Sequence, residues 1–97
     1  MLNVDSVRNA DWFAVRDSRK GPKDDQYPCL VCGRGAARNA VYVRLHGGGT
    51  DIVTEAEANQ RNAEGGEPGD MGAYPVGRDC LRKHPELRPY VMAADAW

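Results

Sequence analysis

Two pairs of metal-ligand residues constrain this chain more than any other feature. Cys29 and Cys32 enclose Leu30-Val31 and are followed at once by Gly33, a C-x2-C-G loop. After 47 intervening residues comes Cys80-Leu81-Arg82-Lys83-His84, a C-x3-H pair. On a helix, residues four apart lie on one face, so the Cys80 sulfur and a His84 nitrogen can reach one ion. Gly33 lets the first loop turn its backbone amides toward the sulfurs. Three thiolates and an imidazole in tetrahedral array suit zinc, and a closed Cys3His set implies a structural ion. His46, the other histidine, is the alternative fourth ligand.

Other uses of the cysteines fit less well. A redox C-x2-C opens a helix in a βαβ setting, and here Gly33 and Gly35 follow with no such pattern around them. Three cysteines is an odd number for a disulfide framework and suits a reducing compartment.

The need for a metal also follows from size and composition. Ninety-seven residues make one small domain, and eleven Gly, six Pro and a mean hydropathy of -0.64 leave little apolar material for a core. No apolar run approaches the roughly 20 residues of a membrane span. Charges stand in "MLNVDSVRNADWF" where a signal peptide has its apolar stretch, so a cytoplasmic location is expected.

The segments divide by charge and pattern. Residues 1–28 form an N-terminal extension with a polar connection at 17–28. Within 4–18 the apolar spacing does not separate strand from helix, and the aromatic pair in Trp12-Phe13-Ala14-Val15 favours a short buried strand. Residues 29–90 form the zinc-binding module of a small α+β fold. "AVYVRLH" at 40–46 alternates as a strand, with Val41, Val43 and Leu45 on one face. Gly47-Gly48-Gly49 supplies a turn, and "TDIVT" at 50–54 returns as the second strand of a hairpin. Residues 55–63 can start a helix, within an acidic, Gly-rich surface loop at 55–72. "AYPVG" reads as extended, Asp79 as the N-cap of a helix from Cys80, and Pro85 as its break.

A C-x2-C-G knuckle, a β-hairpin and a short helix carrying the last two ligands resemble a treble-clef zinc finger across about residues 27–90. "CLVCGR" and "YPVGRDCLRKHPEL" are also similar to small zinc-binding proteins of actinobacteria and their phages, known by pattern more than by activity. The chain differs from common treble clefs in carrying C-x3-H, not C-x2-C, on the helix. Treble clefs also underlie HNH-type nucleases, but His46 stands between Leu45 and Gly47, and the helix His is assigned to metal. Without a catalytic set, phosphate loop or paired-carboxylate helix, neither an enzyme nor a small-molecule substrate is expected.

Two partner classes remain. The first is a protein, of host or viral origin, bound through Trp12, Tyr90 and the C-terminal Trp97. A phage-encoded or mobile-element inhibitor, an adaptor or an assembly component fits that description. The second is nucleic acid, met by Arg34, Arg38 and Arg44, a run without acids, and by Arg78, Arg82 and Lys83 around the second ligand pair. Residues 47–70 set six acids against Arg61 alone and would have to face away from phosphate.

Overall fold

The computed structural model describes residues 1–23, 26–36, 39–64 and 69–92. Its frame is a four-stranded antiparallel sheet with short helices, a small α+β architecture. The strands are β1 (Leu2–Asn3), β2 (Val41–His46), β3 (Asp51–Val53) and β4 (Gly72–Val76), in the order β1-β3-β2-β4. Helix α1 spans Trp12–Arg16, α2 spans Glu55–Ala63 and α3 spans Arg78–Lys83.

The hairpin forms where the alternation places it. Gly47, Gly48 and Gly49 turn with φ of 66°, 75° and 100°, and Leu45 then pairs with Ile52. A side chain on these glycines would be held in the disfavoured left-handed region. On its other flank β2 pairs with β4, Val41 opposite Val76 and Val43 opposite Tyr74. Beyond Val53 the β3 side of β2 is taken by Val91, opposite Val43, and by Met92, whose N–H donates to the Tyr42 carbonyl at 2.8 Å. Val43, Ile52 and Val76 are fully buried with Leu87, and Val4, Leu30, Val31 and Leu45 join them in one core.

Several expectations need correction. Trp12-Phe13-Ala14-Val15 is helical, with Val15 N–H donating to the Asp11 carbonyl and Asp17 N–H to that of Phe13. A strand would hide alternate residues, whereas here Trp12 is buried and both Phe13 and Ala14 are exposed. Helix α3 begins two residues early, at Arg78, with Gly77 as its N-cap, and Asp79 lies in its first turn. Pro85 ends α3 as anticipated and opens a 3-10 turn over Pro85–Tyr90. Helix α2 runs all nine residues from a capping box. Thr54 Oγ1 accepts from Glu57 N–H and the Glu57 carboxylate from Thr54 N–H, both at 3.1 Å.

The chain returning from α2 is pinned to the hairpin in its described part. Gly69 is buried against Gly47 and Gly48, with Gly48 N–H donating to its carbonyl at 3.1 Å. Asp70 receives Arg44 Nε at 3.0 Å and Arg44 Nη2, Asn62 Nδ2 at 3.0 Å and Gly72 N–H at 3.0 Å. Arg44 also reaches Glu55 at 2.9 Å. The Arg44 guanidinium, aided by Asn62 and Gly72, holds the Asp70 carboxyl well below the usual carboxylate range.

Because the folded-state value is depressed, this contribution is complete above the unfolded-state value of about 3.9 and fades as pH falls below it. Asp70→Ala should lower stability by about 1–3 kcal/mol at neutral pH, the scale of hydrogen bonds to a charged group. It should also flatten the acid limb of stability against pH, as read by urea denaturation from pH 7 to 2. Equal acid sensitivity in variant and wild type would contradict the assignment.

Candidate metal centre

The first two sulfurs stand on a tight loop anchored at several points. Cys29 N–H donates to the Arg34 carbonyl at 2.7 Å, and Gly33 N–H to the Cys29 carbonyl at 3.0 Å. Gly33 has φ of 81°, and a Cβ there would stand 2.6 Å from the Trp12 carbonyl oxygen, so only glycine fits. Outward anchors fix the loop to the fold. Leu30 N–H donates to the Pro75 carbonyl of β4, and Asn9 N–H to that of Val31, each at 2.9 Å. The Trp12 indole N–H donates to the Cys29 carbonyl at 2.8 Å.

The third sulfur comes from the first turn of α3, which leaves β4 directly through Gly77. Gly77 N–H points at Cys29 Sγ, 3.3 Å away. The sulfurs of Cys29, Cys32 and Cys80 all lie within 4.8 Å of one another. All three cysteines are free of disulfides. Zinc–sulfur bonds of about 2.3 Å set tetrahedral sulfurs roughly 3.8 Å apart, so small side-chain rotations would close this cluster on one ion.

Their electrostatics show crowding. Burial pushes Cys29 up, but the N–H groups of Gly77, Cys32 and Val31 outweigh it and leave this thiol lowered. Burial raises Cys32. Burial, and then the charges of its two neighbours, push Cys80 far up. Three thiolates in one place therefore call for a cation.

The sequence-derived fourth ligand stands apart. His84 N–H keeps the helical bond to the Cys80 carbonyl at 3.0 Å, but φ of −127° and ψ of 70° take the residue out of the helix. Its Nδ1 lies 3.6 Å from Glu86 Oε1, and among the described residues the converging donor atoms are the three sulfurs without it. His46 is fully buried, not a surface residue. Its Nδ1 accepts the Gly47 N–H at 2.9 Å, which leaves Nε2 to donate to Asn62 Oδ1 at 3.0 Å. Both ring nitrogens are thus committed, and His46 is not available to metal.

The cationic residues separate into two groups. Arg34, Arg78, Arg82 and Lys83 line a groove of about 440 Å³ that also holds the three cysteines. Arg82 pairs with Asp79 at 2.5 Å, and Arg78 Nε donates to the Asn39 carbonyl at 2.6 Å. Arg44 belongs to the Asp70 network instead, and Arg38 lies outside the described residues. Sequence reasoning missed Asn9 and Asp11, which also line the groove, because nothing in their local pattern ties them to Cys29.

The proposed aromatic contacts change role. Trp12 is 8% exposed and spent on the Cys29 carbonyl, so it is no partner surface. Tyr90 is half-buried and packs on the core, while Trp97 lies outside the described residues. Phe13 is 57% exposed and packs edge-on to Trp12 between the guanidinium groups of Arg8 and Arg16. No helix among the described residues is long and apolar enough to cross a membrane. Comparison with protein-family models, curated proteins and solved structures finds no match to this chain.

Trp12→Phe keeps an aromatic ring, smaller than the indole, and deletes the N–H that meets the Cys29 carbonyl. The Cys29 carbonyl keeps its Gly33 N–H, so a loss of about 0.5–1.5 kcal/mol is expected, the net worth of one hydrogen bond. Metal affinity should fall with it, measured by competition with a chromophoric chelator. Unchanged affinity and stability would show that the indole does not hold the loop.

Proposed function

We propose that this chain is a zinc-stabilised, non-enzymatic module that binds a polyanion, nucleic acid being the fitting class. The convergence of three sulfurs from two distant segments carries the metal half of this reading. Zinc is the ion that thiolate-rich tetrahedral sites favour. Its apparent binding free energy, about 10–16 kcal/mol in small peptides, matches or exceeds the net stability of a small domain.

The metal has a clear structural task here. It would tie the Cys29–Gly33 loop to the start of α3, two segments that otherwise meet through few bonds. That role is the one expected of a treble-clef finger. The present arrangement departs from the simplest version of that fold. Helix α2 follows the hairpin without supplying a ligand, and Cys80 comes from α3, after β4.

Non-enzymatic action is favoured by the chemistry of the titratable groups. The buried His46 has both nitrogens engaged inside the fold, and among the described residues the thiols of the groove are the three assigned to metal. The binding half rests on where the cations lie. Arg34, Arg78, Arg82 and Lys83 are far apart in part of the sequence but line one groove, against Asp11 and Asp79. Of the aromatic residues that would favour a protein partner, Trp12 is buried and Tyr90 is half-buried against the core.

Metal removal tests the first half. Strong chelation, or Cys32→Ser, should unfold residues 29–84, with circular dichroism and bound zinc lost together. A metal-free protein with native circular dichroism would end the structural-zinc reading.

Salt tests the second half. With about three phosphate contacts, affinity for a short duplex should fall roughly 40-fold between 50 and 200 mM salt. Fluorescence anisotropy with labelled DNA and RNA reads this directly. Absence of any salt-sensitive binding to either would dispose of the nucleic-acid assignment.

A further inference from the structure

The three cysteines share one open side, and that side is the groove. Cys29, Cys32 and Cys80 all line it, and His84 is not among its walls. Behind the cluster the space is filled by Leu30, Val31 and Leu81, which pack with the cysteines in the core. An ion held by three sulfurs still needs a fourth donor.

Among the described residues, three candidate donors are engaged elsewhere. His84 faces Glu86, His46 is buried between Gly47 and Asn62, and Asp79 is paired with Arg82. Among the described residues no carboxylate oxygen or imidazole nitrogen joins the three sulfurs, Asp11 on the groove wall included. We infer that the fourth coordination position of the bound metal opens onto this groove and takes a monodentate anion from outside the chain.

The charges around the site fit that assignment, which rests on the metal reading above. A divalent ion on three thiolates carries a net charge of about −1 by simple valence, so a further anion meets repulsion unless cations stand near. Arg34, Arg78 and Lys83 line the groove and supply that compensation; the Arg82 charge is partly answered by Asp79. Focusing by such a rim raises the local concentration of anions in the cleft. Binding is a ligand exchange, in which the anion replaces a metal-bound water and no bond within the protein changes.

The test uses the full chain loaded with Co2+, whose visible d–d bands report the donor set. Titration with thiocyanate or azide should shift these bands saturably. Replacing Arg34 and Lys83 together by Gln should weaken that titration about threefold to tenfold, the scale of exposed charge contacts. His84→Ala should leave Co2+ stoichiometry and the anion-free spectrum unchanged.

Bands that ignore the anion, or that change when His84 is removed, would overturn the inference and make the site a closed Cys3His centre. Should His84→Ala fail to fold, the wild-type titration decides alone. Failure to take up Co2+ at all would overturn the metal reading and this inference with it. Uptake with an unresponsive spectrum overturns the inference only.

Discussion

The fold brings three sulfurs close together on one side of a groove, where burial leaves them only partly screened by water. Each is partly or wholly buried, and their charges oppose one another. Backbone N–H groups of Gly77, Cys32 and Val31 relieve Cys29, while that of Arg34 only partly offsets the burial of Cys32. The structure answers the remaining strain with geometry. The loop is pinned from three sides, by Pro75 of the sheet, by Asn9 and by the indole of Trp12. A cation placed among the sulfurs would convert mutual repulsion into the strongest attraction in the molecule.

A second polar network performs a similar task at the other end of the sheet. Arg44 leaves β2, binds Asp70 through two nitrogens and reaches Glu55 at the start of α2. Asn62 joins Asp70 to the buried His46. The hairpin, α2 and the chain returning from it are thereby locked together without a large apolar interface, which suits a chain with little apolar material. Arg44 thus serves the interior of its own fold, which removes it from the cations that could meet a partner.

The sequence made some of this legible for definite reasons. Strand β2 has the clean alternation of Val41, Val43 and Leu45, and the three glycines after it admit only a turn, so the hairpin could be read directly. The knuckle was legible because two thiols and Gly33 specify a loop. Thr54 and Glu57 also spell a capping box, a signal that marks the start of α2. Helix α1 was not legible, because its five residues are too few to show a period and its one buried side chain is fixed by a distant carbonyl. The orientation of His84 depended on whether α3 continued through it, and the following Pro85 turns the chain away. The groove was hidden for the same kind of reason, since its walls come from segments that only the folded chain brings together.

Pro75 links the metal loop to the sheet in a further way. β4 is an edge strand, and its Pro75 nitrogen lies on the same outer side as the carbonyl that receives Leu30 N–H. A proline there sacrifices no bond to β2 and offers no donor to a stranger. The knuckle covers the acceptor that remains. Edge strands with open hydrogen-bonding groups recruit other chains, and proteins protect them with prolines or covering loops. Here both devices fall on one residue. The knuckle that gathers the sulfurs therefore also covers part of the flank of the sheet, and whatever loosens it would bare that edge.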